Sequence, residues 1–217
     1  MLSSKGNSNF KDENPKVLGI VGSLRNNSFN EALLNSAARL LPNWVRFETF
    51  DINEIPHYNQ DVENSGIPEI VNEFKEKVRG ADVVLIATPE YSGSVTGVLK
   101  DALDWASRPH GDSSFEGKPI GVLVAVSGRR GGHSVLNHLT LIIDYLDAKL
   151  LGEPVLVQLA PEKFDVNGEL SDPKDISNIK ELVRQTVAIL SPDKEEVVLV
   201  EQEIQSSIKE HTPRSPV

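Results

Sequence analysis

The chain has 217 residues, 39% of them hydrophobic, which suits one ordinary domain with a sizeable core. Its formal net charge of -10, from 32 acidic against 22 basic residues, argues against nucleic acid or an anionic membrane as a main partner. Cysteine is absent, which excludes disulfides, thiolate catalysis and cysteine-bound metals, and no apolar run approaches the length of a membrane span. The first 15 residues lack the apolar centre of a signal peptide, so the expected address is the cytoplasm.

After a polar tail (1–15), "KVLGIVG" (16–22) reads as a buried strand. A helix follows, with Ser28 and Glu31 as a capping box and Leu33, Ala37, Leu40 and Leu41 as its apolar face. "VRFETFD" (45–51) alternates Val45, Phe47 and Thr49 against charged neighbours, as a more exposed strand would, and 52–66 reads as a polar loop. Ile67, Ile70, Val71, Phe74 and Val78 mark the next helix, and "ADVVLIATP" (81–89) the next buried strand. The segment 94–109 is the strongest helix signal, with Ser94 as its expected cap and Val95, Val98, Leu99, Ala102, Leu103 and Ala106 in register. Then come a buried strand (118–128), a helix through Val135, Leu139, Ile143 and Leu146, and a strand (148–159) with an expected kink at Gly152–Pro154. A last helix spans 172–190. The remainder reads as an extension, with a short strand expected at 196–200.

Five strands alternating with five helices imply an α/β three-layer sandwich around a parallel sheet. Right-handed crossovers and the strand count favour the flavodoxin-like order 2-1-3-4-5. The expected domain is 16–190, between an N-terminal tail (1–15) and a C-terminal extension (191–217). In that order the ligand crevice opens between the first and third strands, at their C-terminal ends.

Three unusual loops are delivered there. "GSLRNNS" (22–28) sets Ser23, Ser28 and Arg25 at a helix start, where unpaired N–H groups and a partial positive charge suit a phosphate. It is neither a Walker loop nor a G-x-G-x-x-G turn. "TPEYSGSVTG" (88–97) supplies polar edges at Glu90, Tyr91, Ser92 and Ser94, and glycines at 93 and 97 where backbone can approach a flat ligand. "SGRRGGH" (127–133) carries two arginines on glycines. A phosphate pocket, a glycine-walled slot and a cationic far edge together match flavin mononucleotide (FMN). The five histidines show no metal-ligand spacing, and Asp101 with Asp104 reads as the polar face of a helix rather than a catalytic pair. No metal and no catalytic side chain is expected.

The motifs "GSLRxxSxN" (22–30) and "TPEYSGSVTGVLKDALDWASRP" (88–109) resemble the NAD(P)H-dependent FMN reductase family of quinone, chromate and azo-dye reductases. The likeness covers roughly residues 16–160. It implies a flavodoxin-like homodimer or homotetramer that binds FMN, takes NADPH or NADH as co-substrate and reduces a small acceptor. By position it implies Ser23, Arg25, Ser28 and Asn30 at the phosphate. It puts Pro89, Glu90, Tyr91, Ser92 and Gly93 beside the isoalloxazine ring, and Gly128 and Arg129 near its pyrimidine edge. The family usually has Asn where this chain has Ser92. The helix end at Trp105, Arg108 and Pro109 would face a dimer partner. Two other readings of the same fold are an electron carrier that uses no pyridine nucleotide and a flavin-free regulatory module.

Overall fold

The computed structural model describes residues 14–191. Most of the expected N-terminal tail and C-terminal extension, and the strand expected at 196–200, lie outside the described residues. The sheet is formed by β1 (Lys16–Val21), β2 (Arg46–Phe50), β3 (Val83–Ala87), β4 (Pro119–Ala125), β5 (Lys149–Leu150) and β6 (Val155–Val157). All pairings are parallel, in the order β2-β1-β3-β4, with β5 and β6 both on the outer edge of β4. β5 pairs with Pro119 and Ile120, and β6 with Leu123 to Ala125. They are one strand interrupted at 151–154, where Gly152 takes φ 60°. The expected order and the expected kink are both present.

The long helices are α1 (Phe29–Ala38), α3 (Glu69–Gly80), α4 (Gly97–Ala106), α5 (His133–Tyr145) and α7 (Pro173–Leu190). Alternation along the strands divides the core. Leu18, Ile20, Val84, Ile86 and Val122 face Phe74 of α3, Trp105 of α4 and Leu139 of α5. Val17, Val83, Leu85 and Leu123 face Leu33 and Leu34 of α1 and Leu182 and Val183 of α7. Every residue of β3 is buried, as a central parallel strand covered on both faces requires.

The structure departs from the expected elements in five places. A short helix, α2 (Gln60–Ser65), capped by Asn59, occupies the segment read as a polar loop, and α6 (Ala160–Lys163) adds a further turn. Helix α4 begins at Gly97 and ends at Ala106, and its cap is Thr96, which accepts from the Leu99 N–H. Ser28 caps α1 through the Asn30 N–H, but Glu31 is exposed and returns no bond, so the capping box is half made. In β2, Thr49 is exposed while Phe47 and Phe50 pack on opposite cores, because helices cover both sheet faces even at this edge.

Trp105 is fully buried, donates its indole N–H to the Pro56 carbonyl (2.9 Å) and meets Tyr58 edge-on. Arg108 pairs with Glu63 (2.9 Å) and lies over the Tyr58 ring. Trp105 is therefore spent inside the chain, which corrects its expected place facing a partner, whereas Arg108 keeps part of its side chain exposed. Nearby, buried Lys75 bonds the Arg108 carbonyl and Asp112, fixing the segment after α4 against α3. Among the described residues no helix is long and apolar enough to cross a membrane.

Candidate functional site

Three loops leave the C-terminal ends of β1, β3 and β4 at the point where the strand order reverses. Each is tied to another by a side chain that meets backbone. The Gly22 N–H bonds the Ala87 carbonyl (2.8 Å), and the Thr96 hydroxyl donates to the Gly22 carbonyl (2.7 Å). A Cβ at Gly22 would stand 2.6 Å from Thr88 Oγ1, so only glycine lets the first loop lie this close to β3.

The second tie is Asn30, at the start of α1. Its Nδ2 donates to the Ala125 carbonyl (3.0 Å), and its Oδ1 accepts from the Ala125 N–H (2.8 Å). The Thr88 N–H pairs with Leu123, after which the chain turns away at Pro89. Two residues on, the same edge of β4 lacks a strand partner at Ala125. The Asn30 amide replaces the missing peptide and satisfies both groups. Asn30 is thereby engaged with β4, and its side chain is buried.

The third tie is Glu90. Its Oε2 accepts from the N–H groups of Gly132 (2.9 Å) and Val135 (3.2 Å), at the start of α5. Gln158 donates to the Gly131 carbonyl (2.8 Å) from the other side. Between these anchors, residues 127–130, which include Gly128, Arg129 and Arg130, are exposed.

The remaining expected residues sit on the same loops. Ser23 is half-buried, and its Oγ accepts weakly from the Arg25 N–H (3.4 Å). Arg25 is exposed, on a turn where Asn27 takes φ 56°. Tyr91 and Ser94 exchange both backbone hydrogen bonds (3.0 Å each) around Ser92 (φ 51°) and Gly93 (φ 74°). Two central residues with positive φ make a type I′ hairpin turn. The Tyr91 ring is half exposed, and Ser94 Oγ meets His138 Nδ1 at 3.0 Å. Thr96 and Gln158 are structural members of the site absent from the expected set. Thr96 is one of two hydroxyls near the helix start, and the sequence alone favoured Ser94; nothing in the sequence pointed to Gln158.

Arg25, Arg129 and Arg130 form no ion pair with any described residue. In a chain of net charge -10, these unpaired cations stand out at the sheet's C-terminal edge. A carboxylate already occupies the start of α5. At the start of α1 the N–H groups of Phe29 and Glu31 find no acceptor among the described residues. An anion therefore fits best beside Arg25. A Cβ at Gly97 or Gly128 would meet nothing within 4 Å, and neither glycine has positive φ. Packing within the chain requires neither to be glycine, whereas close approach of a flat ligand would.

The family model for NADPH-dependent FMN reductase matches residues 15–162, a stretch that contains all three loops. The chain belongs to that family. It is 44% identical over 176 residues to the NAD(P)H-dependent FMN reductase of Pseudomonas aeruginosa, covering 81% of this chain and 92% of that protein. It is 40% identical over 156 residues to a 2-hydroxy-1,4-benzoquinone reductase of a Burkholderia species, covering 71% and 85%. Among solved structures, the flavoenzyme NAD(P)H:(acceptor) oxidoreductase FerB of Paracoccus denitrificans superposes with a TM-score of 0.71 at 30% identity, over 87% of this chain and 98% of that one. Membership of the NADPH-dependent FMN reductase family favours an enzyme over the electron carrier considered from sequence.

Proposed function

We propose that this family member is an NAD(P)H-dependent oxidoreductase that binds FMN at the three-loop site and reduces a small acceptor such as a quinone. The observation that carries this reading is the junction itself. Three cross-tied loops meet at the reversal of strand order, with unpaired arginines on two of them and open glycine surface at Gly97 and Gly128. When bound, FMN would supply the redox chemistry that links a reduced nicotinamide to the acceptor.

The chain's own residues bind and orient. Arg25, the Ser23 and Ser28 hydroxyls and the free N–H groups at the start of α1 hold the phosphate, through charge-assisted contacts worth roughly 1.5–3 kcal/mol each. Pro89, the hairpin Tyr91–Ser94 and Gly93 border the ring. Gly128 lets the backbone approach, and Arg129 sets a cation at the pyrimidine edge, where it stabilises negative charge developing on the ring. Asn30 positions α1 through Ala125 and does not itself contact the phosphate.

A homodimer or homotetramer in the cytoplasm completes the proposal, with no nucleic acid or membrane as partner. Its support is the outer face of α5, where Leu141 (68% exposed) and Tyr145 (87% exposed) stand one turn apart. The deciding experiment is anaerobic addition of NADPH or NADH to the FMN-reconstituted protein, followed by a quinone. Bleaching and then recovery of the flavin band is expected. A protein that binds no FMN refutes the site, and one whose bound FMN stays oxidised refutes the enzyme reading.

A further inference from the structure

Helix α5 starts without the means to cap itself. Its cap position is Gly132, which has no side chain and sits at φ 97°. Its third residue, Val135, is apolar and fully buried. A self-sufficient helix start uses two side chains. One on the cap residue accepts from the third N–H, and one on the third residue reaches back to the cap N–H. Here one oxygen of Glu90 does both, accepting from Gly132 and from Val135. It reaches across from the loop after β3, 42 residues earlier in the chain than Gly132. A local remedy is barred, since a Cβ at Gly132 would fall 2.2 Å from Leu156 Cδ1.

We infer that Glu90 is a positioning residue that fixes the glycine-arginine loop by capping α5, and so sets where Arg129 and Arg130 stand. This inference rests on the proposal that the loop borders the flavin. It departs from the expectation drawn from the family resemblance in assigning Glu90 to the loop and not to the ring. The carboxylate faces the positive end of α5 and the two N–H groups there, so its charge is compensated within the protein. The arginines two and three residues before Gly132 are thereby left unpaired and available to an incoming ligand. With Gln158 holding Gly131 from the opposite side, the loop is pinned at its base while its tip stays exposed. Loss of Glu90 would free the base, and the guanidinium groups would lose their fixed position.

Two measurements test this. The first uses the flavin-free chain and follows amide hydrogen exchange at Gly132 and Val135. Glu90→Ala should accelerate both amides by roughly tenfold or more, the consequence of stripping acceptors from two helix-start donors. Glu90→Gln, whose amide oxygen still accepts, should recover part of the protection. Unchanged exchange in Glu90→Ala overturns the cap.

The second measures the flavin midpoint potential in FMN-reconstituted wild type, Glu90→Gln, Arg129→Ala and the double variant. If Glu90 acts through the loop, its effect should shrink in the Arg129→Ala background. Fully additive shifts overturn the inference, because they mean that Glu90 acts on the ring directly. No shift from Arg129→Ala alone overturns the loop's placement at the flavin, and with it the functional half of the inference. Exchange at the two amides decides the cap in either case.

Discussion

Replacing Asn30 with leucine separates a structural clamp from a phosphate ligand. Leucine keeps asparagine's branched skeleton but offers no polar atom, so the N–H and the carbonyl of Ala125 both lose their partner. Both bonds lie in a buried setting where water cannot readily substitute. A buried backbone group left unsatisfied costs about 1–3 kcal/mol, and two on one residue about 2–5 kcal/mol after some relaxation. For a domain of this size, each kcal/mol lowers the melting temperature by roughly 2–4 °C, so a fall of about 4–20 °C is expected. Asn30→Asp should fare no better, because a carboxylate oxygen would then face the Ala125 carbonyl. Denaturant and thermal unfolding of the flavin-free protein measure the effect without any contribution from ligand. If Asn30→Leu unfolds within about 1 kcal/mol of wild type but binds FMN poorly, the clamp argument fails and Asn30 is a ligand after all.

Arg25→Ala should weaken FMN by about tenfold to a hundredfold while leaving riboflavin, which has no phosphate, nearly unaffected; equal losses would point to damaged folding. Ser92→Asn should stabilise the protein by up to about 1 kcal/mol, read from chemical denaturation, because asparagine tolerates the left-handed conformation that Ser92 adopts. Trp105→Ala should destabilise by about 3–5 kcal/mol, through cavity formation and the loss of its bond to Pro56. Acid should loosen the segment between α2 and β4. The Arg108 hydrogen bond, followed by that of Tyr58, holds Glu63 below its ordinary pKa, and the Lys75 hydrogen bond does the same for Asp112. Both carboxylates therefore stabilise fully above their ordinary values near pH 4 and lose that contribution as pH falls through the depressed ones. Glu63→Gln and Asp112→Asn should each flatten the acid limb of a stability-versus-pH curve.

The sheet order could be read from sequence because its strands are continuous apolar runs, and such runs belong to parallel strands covered on both faces. Helix α2 could not, because none of its residues is buried and it leaves no apolar period. The choice of Thr96 over Ser94 as the cap of α4 depends on the Gly22 carbonyl, which lies 74 residues away in the chain. The same distance in sequence hid the actual partners of Asn30 and Glu90. Both stand where a motif suggests ligand contact, yet each is committed to backbone across 95 and 42 residues respectively. Trp105, expected from the resemblance to face a partner, is instead buried, because the Pro56 carbonyl gives its indole N–H somewhere to go. Composition and spacing point to the three loops, but only tertiary structure shows that Asn30 and Glu90 hold them together.

The interruption between β5 and β6 bears on how copies of this chain can associate. An uninterrupted edge strand offers a row of unpaired N–H and C=O groups to any neighbouring strand, and sheets can grow by that route. Here the β4 side ends in pieces of two and three residues, bent apart at Gly152, with Pro154 just before the second piece. The opposite edge, β2, is only five residues long and carries Arg46 and Glu48, the latter paired with Lys77. Neither border offers a template for a sixth full-length strand. Among the described residues, these edges would steer any assembly of copies away from sheet extension and towards contacts between helix faces, and they disfavour edge-to-edge aggregation of the folded chain.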